Sequence, residues 1–177
     1  MSTTLATLIA TCAPLIHPTT LSALIQVESA ANPYAVSVNR PLQIEDAGLD
    51  QVTLIPRQPR SAPEALALTR TLLKEGLTTS VGLAQINIEH LPQLHLHLAD
   101  LFDPCTNLRV AQQILIVCAH AELSTGTATR AAQIHRALSC YNTGNGIDGL
   151  TNGYVGQIRR VAARSADASA RTLLARR

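Results

Sequence analysis

The chain has 177 residues, 46% of them hydrophobic, and a formal net charge of only +2. This length is enough for one domain with a well-buried core. Only one Phe, three Tyr and no Trp occur, and the basic residues are scattered, so we expect no nucleic-acid partner. No apolar run is long enough to form a stable membrane span.

The first predicted element is a buried helix over residues 3–13. Its apolar stripe consists of Leu5, Leu8, Ile9 and Cys12. No Lys or Arg precedes Arg40, so a signal peptide with a basic start is not evident. A second helix is expected after two prolines, with Thr19 or Thr20 as its N-cap.

The second predicted helix, residues 20–30, carries a carboxylate on its apolar face. Leu21, Leu24 and Ile25 fall at i, i+3 and i+4, and the next position of that stripe is Glu28. A carboxylate in such a place is costly when it is ionised and unpaired. An Asn-Pro pair then ends the helix. Glu28 is therefore expected at the mouth of a core, where a general acid can work.

The middle of the chain predicts a small strand region inserted between helices. Ala35–Asn39 alternates in polarity, and Gln51–Ile55 is a second strand candidate. A helix is expected over Pro63–Lys74, because proline, an acidic first turn and a following glycine are its start and stop signals. Thr78–Asn87 is interpreted as strand and turn.

The second half of the chain is predicted to be helical. Its elements are a short helix over 88–98 broken at Pro92, a long helix over 107–123 capped by Asp103–Thr106, a helix over 128–141, a Gly-rich loop over 145–152 and a last helix near 153–164. The Ala/Arg-rich tail, 165–177, is expected to fray. We therefore expect an α+β fold, mostly α, with one domain over 1–164.

Four cysteines are widely spaced along the chain: Cys12, Cys105, Cys118 and Cys140. They contain no CxxC pair, so a metal site is not expected. An even number of cysteines is compatible with two disulfides in any of three connectivities, and equally with buried free thiols. The sequence leaves both alternatives open.

Four short polar segments stand out from the Leu/Ala background: Glu28-Ser29, Gly82–Asn87, Asn107-Leu108 and Tyr141–Gly144. Tyr141 continues an apolar stripe formed by Ile134, Ala137 and Leu138. Tyr141 is thus a polar residue at the end of an apolar helix face, as Glu28 is on the earlier helix. If both faces meet in one core, the Tyr141 hydroxyl and the Glu28 carboxyl converge at its rim.

In this order and at this spacing, the four segments resemble the lytic transglycosylases of the soluble lytic murein transglycosylase type. That family has a lysozyme-like fold, closest to goose-type lysozyme, with a small strand region. The resemblance runs from about Leu21 to Tyr154. The long stretch between Asn39 and Ser80 is similar to the branch that serves type IV secretion and conjugation. It implies a periplasmic protein that acts on peptidoglycan glycan strands and meets components of such a machine.

The resemblance also implies a role for each matched residue. Glu28 would be the sole catalytic acid/base, cleaving the bond between N-acetylmuramic acid and N-acetylglucosamine with formation of a 1,6-anhydro end. Ser29 would orient the carboxyl or the glycan. Gln85 and Asn87 would bind N-acetyl and hydroxyl groups. Tyr141 would hydrogen-bond near Glu28, and Asn142 would brace that corner. No cofactor and no metal are implied.

Simpler structural interpretations exist for the same residues. Gln85 and Asn87 could be turn formers, Tyr141 a packing residue, and Asn107 a helix cap. Ala84 departs from the family pattern, which has methionine in many members, so an apolar contact to the sugar would be smaller. The alternative functions are a hydrolytic muramidase of the same fold and a non-catalytic glycan-binding assembly factor.

Overall fold

The computed structural model describes residues 4–39, 55, 57–123 and 129–175. Within them lie eight α-helices, three short strands and the 3-10 helices Ile88–His90 and Leu98–Phe102. The helices are α1 (Leu5–Cys12), α2 (Pro18–Ser29), α3 (Ala62–Lys74), α4 (Leu91–Leu94), α5 (Pro104–Leu123), α6 (Arg130–Thr143), α7 (Asp148–Thr151) and α8 (Tyr154–Ala175). The strands are β1 (Val36–Asn39), β2 (Thr78–Val81) and β3 (Ile86–Asn87).

The chain divides into two compact units. The first is formed by Met1–Val27 and Arg109–Arg177, and the second by Glu28–Leu108. The first unit is helical, whereas the second contains the three strands together with α3 and α4. A small antiparallel sheet among many helices confirms the predicted fold class, α+β and mostly α. A single domain over 1–164 stays a prediction.

In the first unit, α1 buries the stripe that its periodicity predicts. Ile9 and Cys12 are almost completely buried, and Leu5 and Leu8 are half-buried. The residues between them are exposed. The burial follows the 3.6-residue period of the helix, so the apolar content of this segment is accounted for by packing.

The start of α2 differs from the prediction. The helix begins at Pro18, and the His17 carbonyl accepts the first helical hydrogen bond from the N–H of Leu21 at 3.1 Å. His17 Nδ1 also accepts from the N–H of Thr19 at 3.3 Å. His17 therefore caps the helix, and the prediction of Thr19 or Thr20 as N-cap is wrong. Proline is favoured in the first turn because no helical N–H is needed there.

Two side-chain links join α5 to α6 within the first unit. Cys118 forms a disulfide with Cys140, and Glu122 accepts a hydrogen bond from Arg136 Nε in an ion pair. The two links lie one helical turn apart on each helix. Cys12 and Cys105 are disulfide-bonded as well, which excludes the alternative of buried free thiols.

The second unit is organised around a sheet of order β1-β2-β3, in which both neighbouring pairs are antiparallel. Val36 pairs with Val81, and Ser80 pairs with Asn87. This confirms the strands predicted within 35–39 and 78–87. The candidate strand Gln51–Ile55 lies outside the described residues except for Ile55 itself, which is buried.

Helix α3 confirms the helix predicted over Pro63–Lys74, but it begins one residue earlier, at Ala62, with Ser61 as N-cap and the proline in its first turn. Glu64 in the same turn accepts a hydrogen bond from the N–H of Arg60 at 2.9 Å and pairs with Arg57. The Arg60 N–H, followed by the Arg57 charge, holds the pKa of Glu64 below its ordinary value.

Three details of the second half of the chain differ from prediction. Pro92 does not break a helix but lies in the first turn of α4, after a 3-10 turn. The Gly-rich loop 145–152 contains α7, because the Asn145 side chain accepts from the N–H groups of Ile147 and Asp148. α8 continues through Ala175 and is therefore longer than the helix predicted near 153–164.

A pH dependence of stability follows from His135 on α6. Burial lowers the pKa of His135 below 6.5, and the positive charge of Arg159 adds to the shift. The unfolded chain therefore binds a proton at a higher pH than the folded chain does. This contribution to the free energy of unfolding is complete above the ordinary histidine pKa and is lost as pH falls through the folded-state pKa.

We expect urea unfolding to require less denaturant at about pH 5.5 than at about pH 7.5, with part of the difference due to His135. The variant His135→Gln isolates that part, because glutamine does not titrate. It should show a smaller loss of stability on acidification than the unmodified protein. Identical losses in the two proteins would contradict the assignment.

Candidate active site

Glu28 lies in the last turn of α2, at the end of its buried stripe. Leu21, Leu24 and Ile25 are fully buried, and Glu28 is half-buried. Glu28 therefore follows the buried stripe on the same helix, where the periodicity predicts it. A half-buried acid remains reachable by a ligand.

The backbone just after Glu28-Ser29 takes an unusual conformation. Ala30 and Ala31 both have positive φ angles, 51° and 62°. The left-handed region is unfavourable for a residue with a Cβ, by about 1–2 kcal/mol for each. Gln85 is also left-handed, with a φ of 50°. Strain of this kind tends to occur at functional sites, where surrounding contacts hold it in place.

Ser29 ties the end of α2 to the turn between β2 and β3. Its Oγ donates a hydrogen bond to the Leu83 carbonyl at 2.7 Å. The hydroxyl proton is thus directed to the backbone of the turn. The structure therefore brings together two of the predicted polar segments, Glu28-Ser29 and Gly82–Asn87.

Gln85 stands in that turn and is half-buried. Its Nε2 donates to the carbonyls of Ala35 at 3.2 Å and Gly82 at 3.0 Å. Both acceptors are backbone groups, so Gln85 stabilises its own turn against the sheet. Because the amide nitrogen is engaged in this way, a ligand contact of Gln85 would be made through Oε1.

Asn87 ends β3 and caps the 3-10 helix that follows it. Its Oδ1 accepts from the N–H of Glu89 at 3.0 Å, and its Nδ2 donates to the Glu89 carboxylate at 3.0 Å. These contacts match the turn-forming interpretation of this residue. Substrate contact by Asn87 stays a prediction.

Asn107 has a role that the sequence did not indicate. It is fully buried, and its Oδ1 accepts from the N–H of Ala84 at 2.9 Å. Its Nδ2 donates to the carbonyls of Val81 at 3.0 Å and Leu101 at 2.9 Å. The prediction of Asn107 as a helix cap is wrong. Asn107 instead holds the turn after β2 in place through these three hydrogen bonds.

The true cap of α5 is Asp103, as the predicted segment Asp103–Thr106 implies. Its Oδ1 accepts from the N–H of Thr106 at 2.8 Å. The only sequence signal for the role of Asn107 is an amide placed among apolar residues near the start of a long helix. Its three backbone partners come from other parts of the chain, which such a signal does not identify.

Gly82 is explained by the same contact. A Cβ at this position would overlap Asn107 Nδ2 and would lie 2.7 Å from the Leu101 carbonyl oxygen. Its φ of 82° is also in the left-handed region. The missing side chain is therefore required by the fold. Ala84 is fully buried in the same turn.

Tyr141 and Asn142 lie in the last turn of α6, in the first unit. Tyr141 is half-buried, and Asn142 is exposed with its Oδ1 accepting from Asn152 Nδ2 at 2.9 Å. Ala137 and Leu138 are buried as the stripe predicts, but Ile134 is 43% exposed, so the stripe is shorter than expected. The convergence of Tyr141 with Glu28 stays a prediction.

Ser139 holds the segment that follows α6. Its Oγ donates to the Asn145 carbonyl at 2.9 Å and accepts from the N–H of Gly149 at 2.8 Å. Cys140, directly before Tyr141, is bonded to α5 through its disulfide. The backbone that carries Tyr141 and Asn142 is therefore held on both sides.

Within the part of the chain that the structure describes, no three His, Cys, Asp or Glu side chains are grouped closely enough to hold a metal ion. In the same residues, no helix combines the length and the apolar character needed to cross a bilayer.

Comparison with known proteins gives one family match and several relatives. The model of the family described as "Transglycosylase SLT domain" matches residues 7–160. A "Type IV secretion system protein virB1" from Brucella abortus is 33% identical over 165 residues, covering 92% of this chain and 64% of the relative. "Protein virB1" from Agrobacterium fabrum is 31% identical over 153 residues, covering 85% and 56%. No solved structure matches the chain significantly.

The chain thus spans less than two thirds of the length of each of these relatives. The family match confirms the resemblance predicted from the four polar segments, together with the lysozyme-like fold class. The relatives confirm the likeness to the type IV secretion branch. This chain belongs to the family of SLT transglycosylase domains.

Proposed function

We propose that this chain is a peptidoglycan lytic transglycosylase that cleaves the β-1,4 bond between N-acetylmuramic acid and N-acetylglucosamine. The observation that carries the proposal is the half-buried Glu28 carboxyl at the end of a fully buried stripe. Ser29 supports it by anchoring this helix end to the Leu83 carbonyl. Membership in the SLT family is the second support.

In this reaction the Glu28 carboxyl donates its proton to the glycosidic oxygen as the bond from that oxygen to C1 of the muramic acid breaks. The resulting carboxylate then accepts the proton of the C6 hydroxyl of the same sugar, whose oxygen attacks C1. The product is a 1,6-anhydro ring, and no water is consumed. One carboxyl serves as acid and then as base.

A mechanism with a single carboxyl agrees with the other acids described in the second unit. Glycosidases that use water or a covalent intermediate need two carboxyl groups at a defined separation. Here Asp100 and Asp103 accept hydrogen bonds from backbone N–H groups in their own turns. The Arg60 N–H and the Arg57 charge lower the pKa of Glu64, so this carboxylate is a poor proton donor and is better suited to a structural role.

The other predicted site residues receive roles within the same proposal. Gln85 and Asn87 bind N-acetyl and hydroxyl groups beside the cleaved bond, Gln85 through Oε1. Tyr141 hydrogen-bonds near the Glu28 carboxyl or the acetamido group, and Asn142 braces that corner. Ser29 orients the helix end that carries Glu28.

The names of the relatives suggest the biological setting. A protein named for a type IV secretion system is similar to this chain over most of its length. We therefore propose that it works in the periplasm, where it opens peptidoglycan locally during assembly of a secretion or conjugation apparatus. Its partners would be glycan strands and components of that apparatus.

Digestion of purified sacculi, followed by mass spectrometry of the released muropeptides, tests this function. We expect fragments that end in 1,6-anhydromuramic acid. Fragments with ordinary reducing muramic ends would instead identify a hydrolytic muramidase. Binding to sacculi without release of fragments would identify a glycan-binding assembly factor.

A further inference from the structure

A concave apolar groove lies on the first unit. It encloses about 370 Å³. Leu115 and Ala119 of α5 and Leu138 of α6 line it, and Leu15 and Ile134 stand at its edges. These two edge residues are 72% and 43% exposed. Exposed aliphatic side chains around a concavity are typical of a binding site.

The groove is formed in advance of any ligand. The N–H of Leu15 donates to Gln112 Oε1 at 2.8 Å, which fixes the segment before α2 against α5. The Cys118–Cys140 disulfide joins the two helices that line the floor. A ligand would therefore not have to pay for ordering these walls, which favours binding.

The charge at the groove indicates what kind of ligand fits. Arg130, the first residue of α6, and His17 are its ionisable lining residues. Among the described side chains that line the groove, none is acidic. The positive end of the α6 dipole lies at the same place and adds to the attraction for an anion. A ligand with an aliphatic group next to a carboxylate would match both the aliphatic walls of the groove and its basic lining residues.

We propose that this groove docks a protein partner through a peptide segment that presents aliphatic side chains beside a carboxylate. The groove is at the small end of the range for ligand pockets and has room for a few side chains only. A stable contact with a second copy needs about 800 Å² from each subunit. A glycan would require more polar groups than these aliphatic walls offer.

Docking at this groove is separate from the cleavage chemistry. None of the described residues that line the groove belongs to the cleavage proposal: on α6 the lining runs from Arg130 to Leu138, and Tyr141 follows about one turn later. The proposal goes beyond the cleavage reaction and does not depend on it.

The test uses two blocked pentapeptides that differ in one residue. One contains two leucines followed by glutamate, and the other has lysine in place of glutamate. Each is titrated into the isotope-labelled protein, and binding is followed by NMR chemical shifts. We expect shifts at Leu15, Arg130 and Ile134, and about fivefold tighter binding of the glutamate peptide.

Substitutions on the exposed surface sharpen the test. Arg130→Glu should reverse the preference between the peptides, whereas Arg70→Glu, at an exposed position of α3, should not. Leu15→Ser should weaken the binding of both peptides. Val117→Ser is its matched control, because Val117 is 69% exposed and does not line the groove.

Three results would overturn the proposal. The first is equal affinity for the two peptides, and the second is the absence of shifts at the groove residues. The third is a dimer in sedimentation that Leu15→Ser converts to a monomer, because the groove would then be occupied by a second copy of the chain.

Discussion

Replacement of Glu28 by glutamine is expected to lower the rate of glycan cleavage by about 10²- to 10⁴-fold, the usual contribution of a general acid/base. Glutamine keeps the shape of the side chain at the end of the buried stripe but cannot donate a proton. The measurement is the initial rate at which soluble muropeptides are released from purified sacculi, for equal amounts of folded protein.

Two controls separate lost chemistry from lost structure. Thermal unfolding of Glu28→Gln should occur close to that of the unmodified protein, because Glu28 is only half-buried and glutamine is nearly isosteric. Glu75→Gln, at an exposed acid of the same unit, should keep nearly full activity. If Glu28→Gln retained more than about a tenth of the rate, its role as proton donor would be rejected.

Replacement of Asn107 by alanine is expected to reduce the free energy of unfolding by about 3 kcal/mol or more. The substitution removes three hydrogen bonds and leaves buried backbone groups of Val81 and Ala84 without these partners. Each buried polar group that loses its partner costs about 1–3 kcal/mol. Denaturant unfolding monitored by circular dichroism measures the loss.

A double-mutant cycle with Gly82 tests the same contact from its other side. Gly82→Ala alone should be strongly destabilising, because the new methyl group overlaps the Asn107 amide at a left-handed φ. In the Asn107→Ala background that overlap is removed, so the added loss should be smaller. Strictly additive losses would show that the two residues do not interact.

Gln113→Ala on the exposed face of α5 is the matched control for Asn107→Ala. It removes an amide from the same helix, but the side chain is exposed, so we expect a change within about 0.5 kcal/mol. Comparable losses in both variants would mean that the amide contacts of Asn107 contribute little.

Local periodicity accounts for what could be predicted from the sequence. The place of Glu28 follows from Leu21, Leu24 and Ile25, because the helical repeat assigns a face from near neighbours alone. The capping signals before α3 are local in the same sense. In these two helices the residues near in sequence decide the structure, and the predicted helices are present.

Non-local contacts account for the residues that prediction missed. The partners of Asn107 lie 6 to 26 residues earlier in the chain, so their meeting depends on the packing of α5 against the sheet turn. Likewise, Gln85 makes its longest-range hydrogen bond to Ala35, 50 positions away. Neither contact leaves a pattern in the nearby sequence. The polar motifs therefore indicated a candidate site, but they did not identify Asn107 as the residue whose hydrogen bonds hold its turn.

Two errors have a local physical cause. The tail after residue 164 is rich in alanine and arginine, both strong helix formers, and α8 accordingly extends through Ala175. The glycines of 145–152 suggested an open loop, but Asn145 and Asp148 supply the hydrogen bonds that start α7. Helix propensity and side-chain capping outweighed the composition in these segments.

The fate of solvent oxygen during cleavage tests the central claim most directly. Sacculi are digested in ¹⁸O-labelled water by the unmodified protein and by Glu28→Gln. The masses of the glycan ends formed by cleavage are then measured by mass spectrometry. We predict unlabelled ends with the mass of the 1,6-anhydro form, released only by the protein that retains Glu28. Ends that carry ¹⁸O, or anhydro ends produced equally well by Glu28→Gln, would contradict a mechanism in which Glu28 acts alone on the C6 hydroxyl.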